Sequence, residues 1–434
     1  MTRFGPILLL LLPALAFAGT EVPEAPPADL AALLHEAATG SPALRASAAR
    51  LEAARAQPSQ ALAPPDPEAS VTYLNDGVSR FTLGDSEFSA LSLTWTQEVL
   101  HPGKLRRSGE AAGAGIAVAA RDLDRARLEV LAAVKSGYAD LYRLDEARAV
   151  LAETRAVLET LQEGARRRYE VGQGIQESVL KAQTEILRLE AESARLDQER
   201  TAAEARLNAA VGRAADTPIG AATGLPQAML PDDADALAGA ALDASPFVGR
   251  LEAEVRRGEA MVARARLDLK PDFTWSATYQ YRGDLDPMVG GMFGLRLPIH
   301  RERRQAQALL QAQSELEAAR HDLAAEKVKI PAAIRELVSR VERGDRLLVL
   351  IGQGLIPQAK SMLESALTSY GVGRIGFLDV LNDLTTLLRA RLELASQRAE
   401  RFQALAELEP LLGREVIRAA PDVADAGGLD VTPR

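Results

Sequence analysis

Four short stretches of the chain alternate between apolar and polar residues with a period of two. The clearest runs from Phe273 to Arg282, where Phe, Trp, Ala and Tyr alternate with Thr, Ser, Gln and Arg. Similar, shorter runs cover residues 71–73, 91–96 and 293–297. This period places the apolar side chains on one face of a strand and the polar side chains on the other. Turn residues at 75–77 and 283–287 predict that the four strands form two hairpins.

The segments that follow the strands have a helical composition. From Lys104 to about Arg168 the chain is nearly free of Pro and rich in Ala, Leu, Glu and Arg, which predicts one helix about 100 Å long. After a Gly-containing turn, residues 177–211 carry apolar side chains three and four residues apart, which predicts a return helix with a coiled-coil seam. In the second half, Pro331 and Pro357 interrupt the long helix and predict kinks or a break.

This order of elements occurs twice. Ser-Pro-Ala-Leu at 41–44 recurs as Ser-Pro-Phe-Val at 245–248, and Tyr-Glu-Val-Gly at 169–172 recurs as Tyr-Gly-Val-Gly at 370–373. The separations, 245 − 41 = 204 and 370 − 169 = 201, are nearly constant, which indicates an internal duplication. Each copy is predicted to contain a short helix, roughly 30–57 in the first, then a β-hairpin and a long helix pair.

The amino terminus has the features of an export signal. Apolar residues from Ile7 to Phe17 follow Arg3 and end at the small residue Ala18, after which we predict cleavage. About 12 apolar residues are too few to cross a bilayer. No later stretch has 18 apolar residues in a row, so we expect the mature chain to enter a membrane only as β-strands. The predicted segments are a signal peptide (1–18), an N-terminal linker (19–29), the first repeat (30–212), a linker (213–240), the second repeat (241–413) and a C-terminal tail (414–434).

Composition excludes several classes of protein. The chain has 51 Lys and Arg against 60 Asp and Glu, a net charge of −9 that argues against a sequence-independent nucleic-acid binder. It has no Cys, which excludes disulfides, thiolate metal sites and a Cys-linked lipid anchor. We also find no G-x-S-x-G, no H-E-x-x-H and no phosphate-binding loop, so we expect no enzyme activity, no catalytic residue, no metal and no cofactor.

The few aromatic residues are concentrated in the predicted strands. Both Trp and three of the seven Tyr lie there, which is typical of lipid-facing strands with aromatic belts. The predicted membrane belt consists of Trp95, Trp275, Tyr279 and Tyr281. The alternative is a small soluble sheet with one buried face.

Four strands are too few for a membrane barrel, which needs about eight, and open strand edges are not stable in lipid. Three copies would supply twelve strands, and cyclic symmetry would gather the helices into a hollow cylinder on the same axis. The fold class we predict is therefore mainly α with a small β part, in which each chain contributes four strands to a trimeric 12-stranded transmembrane β-barrel. A dimeric or solitary antiparallel coiled coil would explain the helices but not the hairpins.

Over residues 30–413 the chain resembles the TolC family of outer-membrane efflux ducts. The resemblance rests on the duplication, on the Tyr-x-Val-Gly turns, and on three local motifs: Gln97-Glu98-Val99-Leu100 with Gly103-Lys104, Phe377-Leu378-Asp379-Val380-Leu381, and the Leu-Gly helix ends. It implies a homotrimer in outer-membrane lipid, with a helical tunnel in the periplasm. The tunnel's closed tip would open when a periplasmic adaptor and an inner-membrane pump, of the RND type, assemble below it.

The junction after the second strand and the first turn, Arg168 to Gly172, look most like the heavy-metal branch of CzcC-type ducts. That branch would make metal cations the cargo. Two alternatives stay open: an exit duct for type I protein secretion, and, in a different class, a soluble periplasmic coiled-coil adaptor or scaffold.

The turns at the ends of the long hairpins are the candidate docking site. Their glycines permit the chain to reverse, and the neighbouring valines would be exposed apolar contacts for an adaptor. The predicted docking residues are Val171, Gly172, Gly174, Val372 and Gly373.

The same region is the candidate gate. Asp379 and Asp383 are four residues apart, so they share a helix face and would form an acidic ring in a trimer. By the resemblance, Asp379 falls on an aperture aspartate and Tyr370 on a tyrosine that latches neighbouring helices. The family's latch arginine falls on Ile375 here, so we expect Arg374 or Tyr370 to bond Glu177 and hold the tip shut.

His101 and His300 follow the second strand of each copy at matching positions. A trimer would place six imidazoles around one rim, which suggests a metal relay. Isolated His residues without a second ligand nearby are more often structural, so we favour that reading.

Overall fold

A computed structural model describes residues 27–417. The first half contains helices α1 (Leu30–Gly40) and α2 (Pro42–Leu62), strands β1 (Glu68–Leu74) and β2 (Ala90–Val99), and helices α3 (Lys104–Glu170) and α4 (Gln176–Val211). The second half contains α5 (Ala234–Ala244), α6 (Pro246–Leu267), β3 (Asp272–Arg282), β4 (Leu285–Arg296), α7 (Gln305–Val349), a π-helical turn (Leu350–Leu355), α8 (Ile356–Gly371) and α9 (Phe377–Leu412). The two halves have the same order of elements, and the predicted mainly α fold with a small sheet is confirmed. The predicted signal peptide, residues 19–26 of the linker and the tail from residue 418 lie outside the described residues.

The four strands form one antiparallel sheet in the order β1-β2-β3-β4. Both predicted hairpins are present, and β2 pairs with β3, so that the sheet joins the two halves of the chain. The predicted loop at 283–287 is too long, because β4 already begins at Leu285. Gly283 has a φ of 66°, a left-handed conformation that lets two residues make the turn.

The short helix predicted at about 30–57 is two helices. α1 ends before Ser41, and Pro42 begins α2, because a proline lacks the amide hydrogen and is favoured in the first turn of a helix, where that hydrogen has no partner. Ser245 and Pro246 separate α5 from α6 in the same way.

The long helices extend the full length of the helical region. α3 is continuous over 67 residues, as predicted. α7 continues without a break through Pro331, whereas a π-helical turn lies immediately before Pro357. A proline removes one backbone hydrogen bond, and an inserted π turn is a common way for a helix to accommodate that loss.

The helices lie side by side rather than around one central core. Next to the sheet α2, α3, α6 and α7 are neighbours, and towards the opposite end α4, α3, α9 and α8 are neighbours. The largest buried cluster is at mid-length, where α1, α5 and the segment between the two halves cover α3, α7 and α9. A second cluster follows α3, α4, α8 and α9 towards the two hairpin turns.

Among the helices between residues 27 and 417, none combines the length and the apolar composition needed to cross a lipid bilayer.

Candidate functional site

The two long hairpins end in turns of the same construction. Gly172 and Gly373 have φ values of 74° and 77°, in the left-handed region where glycine is favoured. The amide of Gln173 donates to the carbonyl oxygen of Arg168 at 2.8 Å, and the equivalent bond in the second turn is 2.9 Å long. These bonds satisfy carbonyl groups at the ends of α3 and α8, so both turns are built by the same glycine-terminated helix cap.

The predicted docking residues lie at the extreme end of the molecule, which we call the tip (residues 168–177 and 369–383). Val171 is 67% exposed and Val372 is 68% exposed. At Gly174 a Cβ atom would lie 3.1 Å from the backbone nitrogen of Tyr169, so this position has little room for a side chain. The tip thus presents these two valines on tightly folded turns, and Ile175 and Leu378 are exposed apolar side chains beside them.

Arg168 connects the two turns within one chain. One of its guanidinium nitrogens donates to the carbonyl oxygen of Gly371 at 2.6 Å. The guanidinium carbon lies 4.5 Å from the ring centre of Tyr370, in cation–π contact. The Tyr370 ring meets the buried Phe377 ring edge-on at 6.2 Å. The predicted latch tyrosine is therefore held by an arginine to which we had assigned no role.

The predicted bond from Tyr370 or Arg374 to Glu177 is not formed within the described chain. The Glu177 carboxylate instead pairs with Lys181, one turn along α4, at 2.8 Å. The hydrogen bond from Lys181 lowers the pKa of Glu177 below its usual value. Within one chain the nearer cation Lys181 binds the Glu177 carboxylate, and Arg168 contacts the Tyr370 ring. A latch between neighbouring copies stays a prediction.

The two aspartates of the predicted gate differ in their surroundings. The Asp379 carboxylate accepts a hydrogen bond from the backbone nitrogen of Gly376 at 3.0 Å and caps the first turn of α9. Asp383 lies one turn further along the same face and is half-buried. Asp379 therefore caps its own helix in the single chain. In an acidic ring the same carboxylate would also face the aperture.

The sheet has one apolar and one polar face. The apolar residues pair directly across the strands, as Leu93 does with Tyr279 and Trp275 with Phe293. The side chains of this face are largely exposed, and include Val71, Leu91, Leu93, Trp95, Trp275, Tyr279, Tyr281, Val289, Phe293 and Leu295. The other face carries mainly Thr, Ser, Gln and Gly. An exposed apolar face of this size indicates an apolar environment around it.

The predicted belt residues lie at different heights on that face. Trp95 and Trp275 are near the end of the sheet that leads into the helices, and Tyr281 is opposite Leu91 near the other end. Tyr281 lies six positions after Trp275, which corresponds to about 20 Å along a strand. That separation suits aromatic girdles on either side of an apolar band about 25 Å tall.

Comparison with known families decides the relationship. The chain matches the family of outer membrane efflux proteins over residues 33–213 and 237–414. The chain belongs to this family. The predicted TolC-like relationship is confirmed, and since this is a family of channel proteins, the chain is not assigned an enzyme activity.

A curated relative is the cobalt-zinc-cadmium resistance protein CzcC of Cupriavidus metallidurans. It is 23% identical over 173 residues, an alignment that covers 40% of this chain and 41% of CzcC. The match thus spans less than half of that relative.

Solved structures of outer-membrane proteins share the fold. VceC of Vibrio cholerae superposes with a TM-score of 0.74 at 22% identity, over 89% of this chain and 96% of VceC. The open state of the MtrE outer membrane channel of Neisseria gonorrhoeae gives a TM-score of 0.71 at 20% identity, over 90% of each chain. At this identity the likeness establishes the fold of the efflux family for the present chain.

The two matching histidines are not parts of a visible metal site. The His101 ring lies 2.9 Å from the carbonyl oxygen of Pro102, and the His300 carbonyl accepts from the amides of Arg303 and Arg304. Residues 27–417 contain no group of three or more His, Asp or Glu side chains that could hold a metal ion. The His300 contacts involve only its backbone, and both sets of contacts lie within one chain, so the structural reading of the two histidines stays a prediction.

Proposed function

We propose that this chain is the outer-membrane channel subunit of a tripartite efflux system. The observation that carries the proposal is the exposed apolar face of the sheet, which continues directly into helices of up to 67 residues. Lipid is the environment that stabilises such a face. Helices of this length would then extend about 100 Å below the membrane, into the periplasm.

Three copies complete the channel. In the described chain the outer edges of β1 and β4 have no strand partner, and an unpaired edge is not stable in lipid. Four strands from each of three copies give the twelve-stranded barrel, and the four neighbouring helices at each level give a cylinder around the same axis. Membership of the family supports a trimer that works with a periplasmic adaptor and an inner-membrane pump.

The tip is the docking site for the adaptor. Val171 and Val372 are exposed apolar side chains on turns of the same geometry, 201 residues apart in the duplication. In a trimer the two turns would present six equivalent apolar contacts to a ring of adaptor hairpins. Gly172, Gly174 and Gly373 hold the turns in the required shape.

The tip also forms the gate. The contact of Arg168 with Tyr370 and Gly371 ties the first hairpin to the second, and Asp379 and Asp383 would line the aperture of the trimer. A ring of carboxylates at the narrowest point attracts cations and repels anions. Glu177 and Arg374 are exposed at the same level, where a neighbouring copy could reach them.

The cargo is a divalent metal cation. The similarity to the cobalt-zinc-cadmium resistance protein CzcC supports this branch of the family, and with it a pump of the RND type. The acidic residues at the tip are compatible with that cargo.

Deletion of the gene tests function and cargo together. We expect the deletion strain to become sensitive to Co²⁺, Zn²⁺ or Cd²⁺ and to accumulate the metal, and the wild-type gene to restore export. A Val171→Asp, Val372→Asp variant should form trimers in the outer membrane but fail to restore export. Unchanged metal resistance with loss of export of another compound would overturn the cargo, and absence of the protein from outer-membrane fractions would overturn the channel.

A further inference from the structure

A buried ion pair marks the seam where the two halves of the chain meet. The backbone nitrogen of His101, after β2, donates to the Asp272 carboxylate at 2.7 Å. The ammonium group of Lys104, at the start of α3, binds the same carboxylate at 2.9 Å and the carbonyl oxygen of Lys270 at 3.1 Å. Lys104 is buried, and Asp272 is the first residue of β3. These bonds therefore hold the start of β3 against the junction between β2 and α3.

The duplication repeats the chemical groups of this seam. Pro67-Glu68 at the start of β1 corresponds to Pro271-Asp272 at the start of β3, with the same offset of 204 residues as the Ser-Pro motifs. Lys104 corresponds to the basic residues Arg303 and Arg304, immediately before α7. An acidic residue at the start of one strand and a basic residue at the start of the following long helix are thus present in both copies.

In one chain the second set of groups cannot meet. β1 and β4 are the two outer strands of the sheet, so Glu68 and the Arg301–Arg304 segment lie at opposite edges. Glu68 and all three arginines of that segment are exposed, and none takes part in an ion pair among residues 27–417. Opposite charges at opposite edges are complementary only when one copy lies beside another.

We propose that the seam between neighbouring copies repeats the seam within one chain. Glu68 of one copy takes the place of Asp272, and Arg303 and Arg304 of its neighbour take the place of Lys104. Asp66, two residues before Glu68, adds a second acidic group on the same side. The proposal rests on the proposed function, since it needs a closed ring of copies, and it adds the residues and the register that close the ring.

The register between copies follows from the pairs within the chain. The offset of 204 places Val71 of β1 on Trp275 of β3. Val71 pairs with Leu93 in the first hairpin, and Trp275 pairs with Phe293 in the second. Leu93 of β2 therefore corresponds to Phe293 of β4, an offset of 200. Gln97 of β2 faces Trp275 of β3. With the same offsets, Gln97 corresponds to Leu297, which follows β4, and Trp275 corresponds to Val71. We therefore expect Leu297 of one copy to face Val71 of its neighbour.

Disulfide formation between copies tests this register, and the absence of Cys from the chain makes the result unambiguous. A Val71→Cys, Leu297→Cys variant should form covalent trimers under oxidising conditions, because directly opposed strand residues lie within disulfide distance. Two matched controls keep Val71→Cys and move the second Cys by two residues, to Leu295→Cys or to Ile299→Cys. Neither control should form the covalent trimer. Strongest crosslinking in a control would overturn the register.

Charge exchange tests the ion pair in the same trimers. Glu68→Arg should lower the temperature at which the trimer dissociates, and adding Arg303→Glu and Arg304→Glu to the same chain should restore it. Dissociation at the wild-type temperature in Glu68→Arg, or no restoration by the exchange, would overturn the ion pair. If the unmodified protein forms trimers and these tests fail, only the proposed seam is wrong. If it forms no trimers, the channel proposal is wrong as well.

Discussion

The middle of the helical region and its tip are built from the same helices but are held together differently. At the middle, Lys135 of α3 and Glu409 of α9 are both 0% exposed and form a bond of 2.7 Å. Glu409 also accepts from the backbone nitrogen of Ile417 at 2.7 Å, and Lys135 donates to the carbonyl oxygen of the same residue at 3.1 Å. At the tip, the hairpins are joined by the contacts of Arg168 near the surface. The ion pair that joins α3 to α9 at the middle is therefore buried, whereas the polar contacts that join the two turns at the tip lie near the surface.

The pKa values of the paired carboxylates at the middle and at the tip are shifted in opposite directions. Burial raises the pKa of Glu409, while Lys135 and the backbone amides of Val416 and Ile417 act in the opposite direction. At the tip, the hydrogen bond from Lys181 lowers the pKa of the exposed Glu177. Removal of one partner therefore leaves an unpaired charge in the interior at the middle, but only a hydrated carboxylate at the tip.

The largest effect is expected from Lys135→Ala. The variant leaves the Glu409 carboxylate buried without its cation, which costs about 3–5 kcal/mol of folding free energy. Circular dichroism should show a much lower melting midpoint of the helices. Lys181→Ala, one turn beyond the tip, is the matched control and should melt as the wild type does. Equal midpoints for the two variants would mean that the buried pair does not set the stability of the middle.

A second expected effect is opening of the tip by Arg168→Ala. The variant removes the hydrogen bond to Gly371 and the cation–π contact with Tyr370. A cation–π contact at a partly exposed site contributes about 1 kcal/mol. Single-channel conductance in a planar bilayer should rise. Arg167→Ala is the control, because Arg167 pairs with Glu163 of its own helix, and it should leave the conductance unchanged.

Comparison with Glu177→Ala sharpens this result. Because Glu177 pairs with Lys181 of its own helix, its replacement should raise the conductance less than Arg168→Ala does. A larger rise in Glu177→Ala would show that Glu177 latches a neighbouring copy in the trimer and that the contacts of Arg168 are secondary.

The smallest expected effect is a pH dependence of the tip half. Glu153 of α3 forms an ion pair with Arg391 of α9, and the hydrogen bond from Arg391 lowers the pKa of Glu153 below its usual 4.5. Because the folded-state pKa is lowered, this pair stabilises the hairpin contact above pH 4.5 and is lost as the pH falls through the folded-state pKa. An exposed pair of this kind contributes less than about 1 kcal/mol. Conductance should rise slightly below pH 4.5 in the wild type, and this rise should be smaller in Glu153→Gln.

Local patterns in the sequence predicted the elements of the fold, whereas contacts between distant residues were not predictable. The strands and the 67-residue helix follow from periodicity and composition, which act over a few residues. Lys135 and Glu409 are 274 residues apart, and a Lys within a long charged helix has the same local pattern whether it is exposed or buried. Arg168 was part of a quoted turn motif, but its contact with Gly371 depends on how the two hairpins pack. The available signal was the recurrence of the Tyr-x-Val-Gly motif, which marks the two turns as equivalent.

The most direct test of the account is the mass of the purified full chain in detergent, measured by light scattering with the detergent contribution subtracted. The exposed apolar face and the two unpaired strand edges predict three chains per particle and precipitation when the detergent is removed. A stable single chain that remains dissolved in detergent-free buffer would contradict the account.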